Sequence, residues 1–129
     1  MNYVPRQIEV TSRASYRLVL QTSIVSGATY KATATDYVDM FYANLHKWRS
    51  ETYYLSSAKE LQKHPSFRAI VEMGEPVIAL ILDDLKRRPS LLVLALSAIT
   101  AENPVPDADR GIVRAMANAW ISWGRRNGF

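Results

Sequence analysis

Two histidines, a group of carboxylates and seven tyrosines are the side chains here with chemistry to offer. Glu72, Glu75, Asp83 and Asp84 lie close along the chain, with His64 a short way upstream. Paired carboxylates can exchange protons or hold Mg²⁺, so Glu72, Glu75, Asp83 and His64 make up a minor enzyme reading. Helical spacing argues for another use. Asp83–Arg87 and Asp84–Arg88 stand four apart with the acid first, the order that favours ion pairs along a helix, and Glu75 sits where a helix cap is expected. His46 falls off the apolar stripe of its segment and reads as a solvated histidine. His64, just before Pro65, can satisfy a free backbone N–H at a helix start. There is no HxxxH or HxxE pair, no phosphate-binding or dinucleotide loop and no nucleophile elbow. Cysteine is absent, which removes disulfides, thiolate metal sites and a thiol nucleophile. No metal and no cofactor are expected, and an enzyme is the less favoured class.

Aromatic residues carry more of the signal. Tyr37, Tyr42, Tyr53 and Tyr54 crowd one region, and one helical stripe cannot bury all four. Surplus tyrosine is interface-like composition, so these four are candidate protein-binding residues. Trp48, Trp120 and Trp123 lie on apolar stripes, where the default role of a large aromatic is core packing. Trp123, near the end of the sequence, is also a candidate anchor for a partner. Arg110, Arg114 and Arg125, with Asn118, fall near one side of the last helix and are candidate nucleic-acid contacts; an ordinary solvated face opposite Trp120 is the competing explanation. No helix-turn-helix pattern with a convincing recognition helix accompanies them.

Composition bounds the rest. The chain has 129 residues, 48% hydrophobic and 22% charged, which is one ordinary globular domain rather than a disordered chain. Sixteen basic against twelve acidic residues leave +4. The excess sits at both ends. Residues 1–35 carry Arg6, Arg13, Arg17 and Lys31 against Glu9, and residues 107–129 carry four arginines against two aspartates. A protein that coats nucleic acid would be basic throughout. The apolar run Leu91–Ile99 is far short of the roughly 20 residues needed to span a bilayer. No secretory signal is legible. The Ser-rich, acid-poor start lacks the amphipathic Arg helix of a transit peptide. A cytoplasmic protein is expected, with no membrane association.

The elements that must position these residues follow from the period of the apolar positions. Residues 1–35 are rich in Ser and Thr. Tyr16, Leu18 and Leu20, then Tyr30, Ala32 and Ala34, alternate on either side of Ser26-Gly27. That pattern fits a β-hairpin or an extended arm. From Asp36, a candidate cap, the period becomes helical: Val38, Phe41, Leu45, Trp48, Thr52 and Leu55 form one stripe. Ser57-Ala-Lys-Glu60 reads as a capping box. Pro65 closes that short helix and opens the next. Gly74 terminates it, and Pro76 starts a further helix buried through Val77, Ile78, Ile81, Leu82 and Leu85, with Asp83 and Asp84 facing water. Pro89 ends that helix. Leu91–Ile99, apolar all round, predicts a central buried helix. Asn103-Pro-Val-Pro106 reads as a rigid loop. A last helix is expected from about Asp107 to Asn127, with Ile112, Met116, Ala119, Trp120 and Trp123 inward.

Two resemblances add to this. Gly74-Glu-Pro-Val-Ile-Ala-Leu-Ile-Leu-Asp-Asp-Leu85 with Leu94-Ala-Leu-Ser-Ala-Ile99 resembles one HEAT-like helical pair; a solenoid would need about three. Over Trp48–Phe129 the chain resembles a family of small uncharacterised bacterial proteins. The motifs are Trp48-Arg-x-Glu-Thr52, Leu55-Ser-Ser57, His64-Pro65, Met73-Gly74, Ala95-Leu-x-Ala-Ile-Thr100, Asn103-Pro-Val-Pro106, Asp109-Arg-Gly111, Met116-Ala117, Ala119-Trp120 and Trp123-Gly124. The resemblance implies no activity. The chain departs from it at Leu92–Leu94, where the family carries Trp and Phe, and at Ala101, where it carries Gly. Those departures argue against an aromatic-lined pocket and a sharp turn there.

The expectation is a mainly α single domain of five or six helices over residues 36–129, HEAT-like in packing over residues 65–127, preceded by the arm of residues 1–35. The expected function is a non-enzymatic protein-interaction module, self-associating or serving as a bacterial regulatory or antitoxin-like partner. Nucleic-acid binding through the last helix and the arm is the alternative.

Overall fold

A computed structural model describes residues 21–25, 28–32 and 34–129. The molecule is mainly helical. Among the described residues six α-helices run in order: α1 (Ala34–Thr52), α2 (Ala58–Lys63), α3 (Pro65–Met73), α4 (Ile78–Arg87), α5 (Val93–Thr100) and α6 (Val113–Arg126). Two strands, β1 (Gln21–Val25) and β2 (Ala28–Ala32), precede them and pair antiparallel, with Gln21 opposite Ala32 and Val25 opposite Ala28. The expected strand around Tyr16–Leu20, and with it most of the arm, lies outside the described residues. Ala34, expected in a strand, opens α1 instead, and Asp36 falls in the first turn rather than at the cap. A carboxylate there still faces the positive end of the helix dipole.

The breaks between helices follow local chemistry. Ser57 Oγ accepts from the Glu60 N–H at 3.4 Å and starts α2. His64 ends α2 in extended geometry and caps α3, its Nδ1 accepting from the Ser66 N–H at 3.0 Å. Gly74, at φ 72°, stops α3, and a 3₁₀ turn over Glu75–Val77 leads into α4. Gly111, at φ 86°, separates a 3₁₀ turn over Asp107–Asp109 from α6. The last helix therefore starts at Val113, not near Asp107. Ile112, expected inward, lies before the helix and is half-exposed.

One core joins all six helices. Phe41, Leu45 and Trp48 of α1 meet Phe67 and Ile70 of α3; Ile78, Ile81, Leu82 and Leu85 of α4 meet Trp120 and Trp123 of α6. Burial of apolar area of this kind stabilises by roughly 25 cal/mol per Å². α4 and α5 are in contact, and each also packs on another helix, α4 on α6 and α5 on α3. Trp48 Nε1 donates to the Leu61 carbonyl at 3.0 Å, tying α1 to α2.

Asp84 departs from expectation. It is buried rather than solvated, and its two oxygens accept from the guanidinium of Arg49, 35 positions away on α1, with the Nη1–Oδ1 bond at 3.2 Å. Arg87 approaches the same carboxylate at 3.8 Å, while Lys86 stands 3.8 Å from Asp83. These two contacts along α4 are i,i+3 rather than i,i+4, and the Asp84 carboxylate is shared with Arg49 of α1.

Ala101 also departs. It adopts the left-handed conformation (φ 59°, ψ 22°) and closes α5 by donating its N–H to Ser97 O at 2.8 Å. The sharp turn forms without glycine.

Candidate functional site

The four tyrosines separate by position on the helix. Tyr37 is buried, so its ring is not on the surface. Tyr42 is half-buried, packs edge-on against Phe41 and accepts from Arg87 Nη2 at 3.2 Å. This hydrogen bond first, then the electrostatic attraction of Tyr42, Asp84 and Asp83, raises the Arg87 pKa above its ordinary value. Tyr53 and Tyr54, just past the end of α1, are 84% and 70% exposed. Their rings lie edge to face at 5.7 Å. The turn that ends α1, with Leu55 N donating to Thr52 O at 2.9 Å, carries both rings away from the core.

Trp123 is buried and cannot serve as an exposed anchor. It stacks on Phe129 with centroids 5.9 Å apart and meets Trp120 edge-on at 5.2 Å. Its indole N–H donates to Glu102 Oε1 at 3.2 Å. Position on the α6 stripe put it inside, as the default for a large aromatic predicts.

The arginines stay in solvent. Arg110 lies before α6 and pairs with Asp107 at 3.1 Å. Arg114 and Arg125 are exposed on α6, as is Asn118. These α6 positions share a side by helical spacing; Arg110, cut off by Gly111, is not on that helix.

The histidine and carboxylate candidates do not converge on either of the two clefts described below. His64 gives its second ring nitrogen to Glu51, at 2.8 Å, across the α1–α2 turn. Glu72 is exposed, Glu75 is half-buried at the start of the 3₁₀ turn, and Asp83 stands beside Lys86. Among the described residues no group of three or more His, Asp or Glu side chains is placed to hold a metal ion. Among the same residues no helix is long and apolar enough to cross a membrane.

A cleft of about 290 Å³, not foreseen from the spacing of residues, lies between α5 and the approach to α6. Its floor is apolar: Leu91, Leu94, Val105, Met116 and Trp120. Arg110, Gly111 and Asn103 add polar groups to the lining, and Ala58 of α2 contributes a small side chain. The apolar run Leu91–Ile99 was the available signal. A helix apolar all round must bury every face, yet Leu91 and Leu94 remain only half-buried here. A second, wider and more polar cleft runs along α6 between Pro104, Pro106 and Asp109 on one side and Asn118, Ser122 and Arg126 on the other.

Comparison with protein-family models, with curated proteins and with solved structures gives no match.

Proposed function

We propose that this protein is a non-enzymatic interaction module that docks another protein chain on the surface around Tyr53 and Tyr54. The observation that supports the reading is the exposure of two adjacent aromatic rings, 84% and 70%, beside a well-packed helical body. Tyrosine supplies large contact area at small entropic cost and is enriched among residues that dominate binding energy. A regulatory or antitoxin-like partner protein of a bacterium, acting from the cytoplasm, is the specific form of this reading. The test is affinity purification from the native host with wild type and with Tyr53→Ser/Tyr54→Ser. Truncation of such anchors costs about 2 kcal/mol or more each, so a stoichiometric partner or a second copy should be recovered with wild type and lost with the variant. Equal recovery with both, or no partner and no self-association with wild type, overturns the reading.

Nucleic-acid binding is the second reading. It is favoured by the exposure of Arg114 and Arg125 on one helix, with no ion pair to another described residue. It requires salt-dependent binding whose slope against log salt falls by about one for each arginine neutralised.

A further inference from the structure

The α5–α6 cleft has a chemical polarity of its own. Its floor is hydrocarbon and aromatic, from Leu94, Val105, Met116 and Trp120. Among the groups of the lining that can donate hydrogens are Arg110, Asn103 and Gly111. Arg110 has five N–H donors and among the described residues pairs with Asp107, itself 91% exposed, and a surface pair of this kind contributes little. Asn103 uses its Oδ1 to accept from the Val105 N–H at 3.2 Å, which leaves its amide hydrogens to donate. The Gly111 N–H makes no hydrogen bond to another described residue. Ser97, also in the lining, has given its hydroxyl hydrogen to the Glu102 carbonyl at 3.1 Å and has none left for an anion. An apolar floor with a guanidinium and two N–H donors around it suits a ligand with an apolar body and one anionic end. Size narrows the class further. A cavity of about 150 Å³ holds benzene, so about 290 Å³ takes a body of roughly a dozen non-hydrogen atoms.

We propose that this cleft binds a small amphipathic monocarboxylate, its hydrocarbon or aryl body on the Leu94–Met116–Trp120 floor and its carboxylate held by Arg110 with the amide hydrogens of Asn103 and Gly111. The site is separate from the Tyr53–Tyr54 surface, and neither proposal depends on the other.

Decanoate, with twelve non-hydrogen atoms, is the probe, titrated against uniformly ¹⁵N-labelled protein. The expected result is saturable binding, Kd on the order of 100 μM, with the largest shifts at the Gly111 amide and the Trp120 indole N–H. Decanol should bind about tenfold more weakly, and decylammonium more weakly still, because the charge-assisted hydrogen bond is lost or reversed. Arg110→Gln should weaken decanoate about tenfold while leaving decanol unchanged. Leu94→Trp, which fills the floor from a half-buried position, should abolish both at an unchanged far-ultraviolet spectrum. No binding, equal affinity for decanol and decanoate, or shifts that avoid Gly111 and Trp120 would overturn the proposal. So would a Leu-terminated pentapeptide that gives the same shifts with higher affinity than decanoate, since the natural occupant would then be the end of a protein chain.

Discussion

Ala101→Gly is expected to stabilise the protein. α5 ends in a tight reversal. The Ala101 N–H bonds back to Ser97 O, Thr100 Oγ1 donates to Leu96 O at 2.8 Å and accepts from the Glu102 N–H at 3.1 Å, and Ser97 Oγ reaches Glu102 O. This network is satisfied only if residue 101 is left-handed, and its φ of 59° shows that it is. A β-carbon in that region costs about 1–2 kcal/mol through its clash with the carbonyl oxygen. Glycine removes the cost but gives the unfolded chain more freedom, worth about 0.4–1 kcal/mol in the other direction. The methyl group of Ala101 is exposed, so no packing is lost. The balance is a gain of about 0.5–1 kcal/mol, or about 2–4 °C in Tm for a domain of this size. Urea denaturation of wild type and variant measures it as a shift in midpoint at constant slope. Ala98→Gly, exposed within α5 and in ordinary helical geometry, is the control and should lose about 1 kcal/mol. A midpoint for Ala101→Gly at or below wild type would refute the reasoning, because the turn would then not be strained.

Asp84→Ala should cost about 2–4 kcal/mol by stripping the partly buried Arg49 of its partner, whereas the joint Arg49→Met/Asp84→Leu change should cost far less; the double-mutant cycle in urea checks both. Gly124→Val should cost about 2–3 kcal/mol, because a β-carbon there meets Leu82 Cδ1 at 2.6 Å in the packed α4–α6 contact, and the penalty should shrink when it is introduced into Leu82→Ala. His64→Ala should lose about 1 kcal/mol through the missing cap on Ser66 N, and His64→Asn should recover most of it; thermal unfolding of the pair decides.

Most helix breaks and the apolar stripes of α1 and α4 were legible because they are local. Pro65, Gly74, Pro76, Pro89 and the Asn103–Pro106 loop cut the chain wherever backbone geometry forbids a helix. Ser57 and His64 cap with their own side chains. The stripes Phe41–Leu45–Trp48 and Ile78–Ile81–Leu82–Leu85 need only a period of 3.6 to be read. The apolar character of Trp123 was visible too, and its burial follows from the stripe it occupies. The surplus of tyrosine was visible, but which ring reaches water was not. Tyr37 is buried and Tyr53, past the end of α1, is 84% exposed, and the period of α1 does not record which of its faces a distant element covers.

What the sequence by itself determined is therefore the mainly helical character, the interruptions at Pro65, Gly74 and Pro89 and the apolar stripes of α1 and α4; it placed neither the start of α6 at Val113 nor the burial of Asp84. The tertiary structure alone decided which neighbour covers each face. It put Arg49 over Asp84 across 35 positions, forced Ala101 into a turn that its own preferences oppose, and left Leu91 and, on α5, Leu94 half-buried in the lining of a cleft. Local preference acts within a turn or two of helix, whereas contact between distant segments depends on how whole elements pack, and no spacing along the chain records it.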